Sequence, residues 1–154
     1  MASGRPRTPV GSVSFRLGVL GVAQEAQFAA GLTELELKPK HVAVLSVLRL
    51  QGAESQLELA QVMRVAPSLV VLLVDQLEAR GAVSRVRDPA DRRKQQVHLT
   101  EEGARLLEAA TEVTARLDEE LVGSLNAADR AALTRVLDRL AAGGGLLAEG
   151  GRQA

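Results

Sequence analysis

The residues best suited to bind a polyanion lie close together near the middle of the chain. Asp91 is followed directly by Arg92, Arg93 and Lys94. Segment 95–99 then alternates polar and apolar residues, as expected of a strand with one face turned inward. A short turn held by such a strand would project three cations on a narrow protrusion that can enter a nucleic-acid groove. The spacing therefore predicts a DNA-contacting turn.

The distribution of charge is compatible with this interpretation, although the 154-residue chain has no net charge. Between Arg80 and Lys94, six cations stand against two carboxylates, whereas residues 101–154 carry a net charge of −4. Attraction to phosphates depends on the cations that contact them and not on the total charge of the protein. A basic patch on a neutral chain can therefore bind nucleic acid.

Composition and motifs argue against several other classes of protein. The chain has no cysteine and only two, widely separated histidines, which excludes disulfides and thiolate chemistry and predicts no metal site. It has no Gly-x-Ser-x-Gly, phosphate-loop or His-Glu-x-x-His motif, so we expect neither an enzyme nor a cofactor. No apolar run approaches ~20 residues, and the first ten residues lack the apolar core of a secretory signal. We therefore expect a cytoplasmic protein without a membrane partner.

Capping residues and helix breakers define the elements that must position the basic turn. Pro39 and Pro67 suit the first turn of a helix. Ser55 and Glu58 have the spacing of a capping box, and Gly81 suits the position after a helix end. With apolar periodicity, these signals predict helices at 12–32, 39–50, 55–63, 67–80, 101–122 and from 126 to the glycines at 143–145, and strands at 83–87 and 95–99. This order predicts a mainly α (α+β) fold: a winged helix-turn-helix with N- and C-terminal helices that form a dimerisation platform.

The prediction divides the chain into a DNA-binding lobe and a dimerisation platform. Residues 37–100 form the winged helix-turn-helix lobe, and the amphipathic helices within 12–34 and 101–142 form the platform of a homodimer. Residues 1–11 are predicted to be a flexible basic arm and residues 143–154 a flexible glycine-rich tail. A two-fold dimer of this kind would bind a pseudo-palindromic operator with half-sites about one helical turn apart.

Several segments resemble the MarR (multiple antibiotic resistance regulator) family of transcriptional regulators. The resemblance covers roughly residues 12–142, and its most specific part is the wing, the turn 88–94 with its flanking strands. The residues similar to the family's motifs are Asp91 and Arg93, the run Val97-x-Leu99-Thr100-x-x-Gly103, Leu59-Ala60, residues 73–81, and Leu37, Pro39 and Leu45. The resemblance implies a dimeric, ligand-responsive repressor or activator that binds double-stranded DNA.

The resemblance also implies roles for the charged residues of the wing. Arg93 would enter the minor groove, and Asp91 would pair with it and orient it. A narrow minor groove has an enhanced negative potential, and a carboxylate can orient a guanidinium through hydrogen bonds. The alternative is a solvated charged turn, in which surface pairs contribute only ~0–1 kcal/mol, but the surrounding strand, cap and helices favour the wing. The predicted phosphate contacts are Arg85, Arg87, Arg92 and Lys94.

The fourth predicted helix departs from the family pattern, in which its first turns carry polar side chains that read bases. Residues 69–74 are all apolar, and only Ser68 and Gln76 offer the donors and acceptors that direct readout needs. Periodicity predicts a core-facing side formed by Val70, Leu73, Val74 and Leu77. It predicts an outer side that includes Leu69, Val71 and Leu72.

Three explanations of this apolar helix remain open. Its outer side could contact thymine methyl groups, it could bind a protein partner or the second subunit, or the outer side could be assigned one position off. DNA binding is the favoured prediction, and a MarR-like dimer whose fourth helix binds a protein partner is the alternative. The predicted DNA-binding residues of the helix-turn-helix are Ser55, Gln56, Arg64, Pro67, Ser68, Leu69, Val71, Leu72 and Gln76.

MarR-type regulators commonly respond to small, often phenolic or otherwise aromatic anions, so the resemblance implies such an effector between platform and lobe. Arg16 on the first helix could neutralise a carboxylate. His41, which precedes Val42 on the second helix, could donate to a phenol oxygen. A lone histidine on a helix stripe is more often a hydrogen-bonded core or interface residue. Both interpretations of His41 therefore stay open.

Overall fold

The computed structural model describes residues 8–52, 54–87 and 95–144, and this part of the chain is mainly helical. The helices are α1 (Val13–Gly31), α2 (Pro39–Gln51), α3 (Gln56–Met63), α4 (Pro67–Ala79), α5 (Glu101–Val122) and α6 (Ala127–Gly144), with 3₁₀ turns at Pro9–Gly11 and Thr33–Leu35. The strands are β1 (Glu54–Ser55), β2 (Val83–Arg87) and β3 (Gln95–Leu99). The winged helix-turn-helix order predicted from the sequence is confirmed.

The predicted helix caps are present, which explains why the helix bounds agree closely with the sequence. The Glu58 backbone N–H donates to Ser55 Oγ at 3.2 Å, and the Ser55 N–H donates to Glu58 Oε2 at 2.8 Å. Asn126 caps α6 by accepting the Asp129 N–H at 2.9 Å. Gly81 follows the end of α4 with a φ of +70°, a conformation that favours glycine.

The sheet contains one strand that the sequence does not reveal. Its order is β1-β3-β2, and all pairs are antiparallel. The extra strand β1 is only two residues long and pairs Glu54 with Val97, too short to show any alternation. Because β1 precedes α3 directly, this pairing ties the start of the helix-turn-helix to the strand that leads out of the wing.

The core is built from aliphatic side chains of α2, α3, α4, the sheet and the first half of α5. Leu45, Leu59 and Leu77 are fully buried, one on each of three helices, and Val97 joins them from β3. Burial of one such side chain contributes about 1.5–3 kcal/mol. The other core residues are Leu32, Leu37, Val44, Leu48, Ala60, Val70, Leu73, Val74, Ala82, Val83, Leu106, Ala110 and Val113.

The start of α5 packs closely against the end of α4. Thr100 Oγ1 donates to the Gly81 carbonyl oxygen at 2.6 Å and accepts the Gly103 N–H at 3.1 Å. A Cβ atom at Gly103 would overlap the Ala82 carbonyl oxygen. Glycine at position 103 therefore allows the start of α5 to lie directly against the backbone that follows α4.

The terminal helices leave apolar side chains uncovered in a single chain. No residue of α1 is buried, and Val13, Leu17 and Leu20 are 77%, 47% and 52% exposed. The end of α5 and one side of α6 are similar, with exposed Leu121, Leu133, Val136, Leu137 and Leu140. These faces belong to the helices that the sequence predicts to form the dimerisation platform.

Within the described ranges, no single helix is long and apolar enough to cross a membrane. Helices α3 and α4 reach that length and apolarity only when taken together, and they are bent by 114° at their junction.

Candidate nucleic-acid interface

The bend between α3 and α4 has the form of a helix-turn-helix. The two helices meet at 114° across the turn 64–66. Arg64 reverses the chain there with a φ of +53°, and α4 begins at Pro67. The N-cap residue Ala66 makes no side-chain hydrogen bond to the first turn of α4, so no capping side chain covers the backbone N–H groups there.

Helix α4 divides into a buried side and an outer side largely as predicted. Its four buried residues are Val70, Leu73, Val74 and Leu77. Val71 and Leu72 are 41% and 51% exposed. Leu69, which the sequence places on the outer side, is half-buried and packs against the core. The exposed apolar surface of α4 is therefore narrower than the sequence predicts.

The distal polar side chains of α4 are held by other parts of the lobe. Gln76 Oε1 lies 2.7 Å from His41 Nε2 on α2. Asp75 and Glu78 both pair with the Arg85 guanidinium on β2. Ser68 is exposed in the first turn, and it alone among the polar side chains of α4 has no partner in the described part of the chain. The two groups proposed from sequence as base readers, Ser68 and Gln76, thus have different surroundings.

Arg85, a predicted phosphate contact, connects β2 to both helices of the helix-turn-helix. Besides its pairs with Asp75 and Glu78, its Nη2 donates to Gln56 Oε1 at 2.9 Å. Its side chain is only 16% exposed. Burial alone would lower the pKa of Arg85, but the hydrogen bonds to Asp75 and Glu78 outweigh it and raise the pKa above its ordinary value. Arg87, two residues further along β2, is exposed.

The sequence contains a signal for this inward position of Arg85. Residues two apart on a strand share a face, so Arg85 must share the face of the buried Val83. It also pairs in register with the buried Val97 of β3. Alternation could therefore have placed Arg85 beneath the helices, although it could not have identified Asp75 and Glu78 as its partners.

His41 is buried and uses both ring nitrogens within the lobe. The residue is only 5% exposed. Its Nδ1 accepts the Lys38 N–H at 3.1 Å, and its Nε2 faces Gln76 Oε1. Because Nδ1 accepts, Nε2 carries the proton and donates to Gln76. Burial lowers the pKa of His41, the nearby Lys38 and Arg80 lower it further, and the Gln76 hydrogen bond partly offsets these effects. His41 is therefore a neutral histidine that joins α2 to α4.

The other two predicted ligand residues lie in different surroundings. Arg16 is exposed on α1, and its Nε donates to the Val10 carbonyl oxygen at 3.3 Å. Val42 is half-buried against the core. A separate open cleft of about 270 Å³ lies between the end of α1, the second 3₁₀ turn and α5, and its lining includes Glu34, Glu112 and Arg116. The lining of this cleft does not include Arg16, His41 or Val42.

The predicted DNA-contacting residues in the turn of the wing fall outside the described residues. Asp91, Arg92, Arg93 and Lys94 belong to segment 88–94. The strands on either side of it are paired up to Arg87 and Gln95. Among the residues that are described, no group of three or more histidine, cysteine, aspartate or glutamate side chains is arranged to hold a metal ion.

Comparison with known proteins agrees with this geometry. The model of the MarR family matches residues 37–94, which span the helix-turn-helix and the wing. The HTH-type transcriptional repressor NicR of Pseudomonas putida is 40% identical over 96 residues, 62% of this chain and 61% of that protein. The chain thus spans less than two thirds of that relative. A putative transcriptional regulatory protein for the hcr operon of Thauera aromatica is 33% identical over 131 residues, 84% of this chain and 79% of that protein.

A solved structure of Bordetella bronchiseptica BpsR, whose DNA binding is regulated by 6-hydroxynicotinic acid, has the same fold. It superposes with a TM-score of 0.74 at 28% identity and covers 89% of this chain and 98% of its own. These relatives are transcriptional regulators and not enzymes, in agreement with the absence of catalytic motifs. The chain belongs to the MarR family of winged helix-turn-helix transcriptional regulators.

Proposed function

We propose that this protein is a homodimeric regulator that binds a pseudo-palindromic DNA operator, with α4 in the major groove and the wing in the minor groove. The observation that carries the proposal is the exposed outer side of α4, which follows a 114° bend and lies beside a strand that leads into the wing. The recognition helix of a helix-turn-helix enters the major groove with its N-terminal residues near the bases. Pro67, Ser68, Val71 and Leu72 are the residues of α4 that would face them.

Four cations would hold the phosphates around this helix. Arg87 is exposed at the end of β2, Arg64 lies in the turn before α4, and Arg92 and Lys94 accompany Arg93 in the wing. Such contacts fix the register of the protein on DNA but carry no sequence information. A different role is expected of Arg85, Gln56 and Gln76, because each is already bonded within the lobe. These side chains would hold α3 and α4 in place and would not contact DNA themselves. Ser55 would act in the same way, as the cap of α3.

Dimerisation would use the apolar faces of the terminal helices. Leu17 and Leu20 of α1 and Leu137 and Leu140 of α6 are all exposed in the single chain. Exposed apolar side chains clustered in this way on a helix commonly mark an interface between proteins. A two-fold dimer would place two copies of α4 on one side of the molecule, which matches the symmetry of a palindromic operator.

We further propose that a small aromatic or anionic effector modulates DNA binding. BpsR, which shares the fold, is regulated by an aromatic acid. Arg16 would attract the anion, and Val42 would contact its ring. His41 can serve such an effector only if its Nε2–H leaves Gln76, because Nδ1 already accepts the Lys38 N–H. A ligand that takes this donor would therefore release α4 from α2 and shift the position of the recognition helix.

Selection of bound sequences from a random duplex pool, repeated at two salt concentrations, tests the proposal. We expect enrichment of a palindrome with half-sites about one helical turn apart. Arg93→Ala should weaken binding by ~1–3 kcal/mol, whereas Arg105→Ala, which removes the same charge from an exposed ion pair on α5, should bind as the wild type does. Failure to bind any duplex at low salt would contradict the proposal and favour the second candidate, a dimer whose exposed Val71 and Leu72 bind a protein partner.

A further inference from the structure

We propose that the outer side of α4 recognises thymine through its C5-methyl group, so that the methyl groups of the operator supply most of its direct base readout. The inference rests on the proposed function, because it requires α4 to lie in the major groove. It goes further by naming the chemical group on the DNA that this helix reads.

The polar side chains in the second half of α4 are bonded within the lobe and so are withdrawn from bidentate base recognition. Gln76 is bonded to His41 at 2.7 Å, and Asp75 and Glu78 share the guanidinium of Arg85. Bidentate contacts need an arginine or lysine for guanine, or an asparagine or glutamine whose amide oxygen and amide nitrogen are both free for adenine. Ser68 remains, and a single hydroxyl distinguishes base pairs poorly because it donates and accepts.

The rest of the exposed surface of α4 is apolar. Val71 and Leu72 are 41% and 51% exposed, and helical spacing puts them on the same face as Ser68, three and four positions earlier. The thymine C5-methyl is the apolar group that base pairs present in the major groove. Methyl-terminated side chains that face this groove therefore gain the most apolar contact against thymine.

The charges around this face of α4 favour DNA over a protein as its occupant. Asp75 and Glu78 would repel phosphates, but both carboxylates pair with Arg85, which cancels one of their two negative charges. Arg64 precedes α4 and the exposed Arg87 lies on the strand beside it. An apolar strip bordered by cations complements a groove whose floor carries methyl groups and whose walls carry phosphates.

The experiment replaces thymine by deoxyuridine, one position at a time, in a duplex selected with the wild-type protein. This change removes the methyl group and keeps every hydrogen-bonding group. We expect one or two positions in each half-site where binding falls about fourfold, the value for one buried methyl group. At those positions, 5-methylcytosine paired with guanine should bind more tightly than unmodified cytosine.

Variants then assign the effect to α4. In Val71→Ala or Leu72→Ala, deoxyuridine should cause little or no loss of affinity at the DNA position that the truncated side chain contacts. Leu50→Ala, which truncates a leucine that is 69% exposed at the end of α2, should retain the full loss. Ser68→Ala should bind the selected duplex more weakly than the wild type but should show the same loss of affinity with deoxyuridine. Melting temperatures of all variants check that the fold is kept, as expected for exposed side chains.

Two results would overturn the inference, and they are distinguishable. If the wild type binds the selected duplex and every deoxyuridine duplex equally, or if the loss persists in both Val71→Ala and Leu72→Ala, α4 does not read methyl groups although the protein binds DNA. If no duplex binds at low salt, the proposed function fails together with this inference.

Discussion

His41 Nε2 lies 2.7 Å from Gln76 Oε1, so a buried histidine in the first turn of α2 holds α4 by a side-chain hydrogen bond. The same ring accepts the Lys38 N–H through Nδ1 and thereby caps α2. His41 thus connects the start of α2 to the C-terminal half of α4. The position of α4 depends on this contact and on the pairing of Asp75 and Glu78 with Arg85.

Loss of the histidine should destabilise the lobe more than loss of the glutamine. In His41→Ala, the Lys38 N–H loses its acceptor and a cavity forms, so we expect the free energy of unfolding to fall by about 2–4 kcal/mol. In Gln76→Ala, only one bond to a buried donor is lost, and we expect a fall of about 1–2 kcal/mol. Urea denaturation measures both, with His98→Ala on β3 as the control. Equal stability of His41→Ala and the wild type would contradict this account.

The lowered pKa of His41 predicts how stability depends on pH. The unfolded chain gains a proton on His41 as pH falls below its ordinary pKa of about 6.5, whereas the folded chain resists until a lower pH. The unfolded state therefore binds more protons in this window, and the free energy of unfolding decreases as pH falls through it.

Comparison with His41→Gln isolates this effect. The wild type should lose stability as the pH falls below about 6.5, by up to ~1.4 kcal/mol per pH unit, and the variant should show a flatter profile. A titration of the two histidine ring signals by NMR would show which group responds. Parallel stability profiles for the two proteins would refute the prediction.

Arg85 and Arg87 lie on the same strand but should behave differently. Arg85→Ala leaves Asp75 and Glu78 without their shared cation, so we expect it to lower the free energy of unfolding by about 1–2 kcal/mol, because both carboxylates are partly exposed and can be rehydrated. Arg87→Ala should change stability by less than about 0.5 kcal/mol, and it should reduce the slope of log affinity against log salt by ~1 if the residue contacts a phosphate. The reverse assignment, with stability lost at Arg87, would be inconsistent with the geometry.

Gly103 should not tolerate a side chain. A Cβ atom there would overlap the Ala82 carbonyl oxygen and lie 2.7 Å from Leu99 Cδ1, so α5 would have to shift away from the end of α4. We expect Gly103→Ala to lower the free energy of unfolding by about 1–3 kcal/mol, despite the better helix propensity of alanine. The control is Gly11→Ala, where nothing lies within 4 Å of the added atom. Thermal unfolding of the two variants distinguishes a steric effect from a general effect of the substitution.

Local signals were sufficient to predict the helices and the two longer strands. Pro67, the Ser55 capping box and Gly81 act on neighbouring residues only, so their effect is readable from spacing. The strand β1 escaped prediction because a two-residue strand owes its existence to its partner Val97 and not to its own pattern.

The contacts that set the character of the site are long-range and could not be read from spacing. His41 and Gln76 are 35 positions apart, and Arg85 and Gln56 are 29 apart. Sequence alone predicted a free Gln76 beside the bases and a phosphate-binding Arg85. Only the packing of α2 and β2 against α4 reveals that both side chains have partners inside the lobe.

The proposed function requires this chain to bind DNA as a dimer. The most direct measurement is fluorescence anisotropy of the selected palindromic duplex across a salt series, with the mass of the complex determined in solution. We predict two protomers on each palindrome and an affinity whose logarithm falls linearly with log salt, with a slope of about −0.9 for each phosphate contacted. Absence of binding at low salt, or binding that does not respond to salt, would contradict the account.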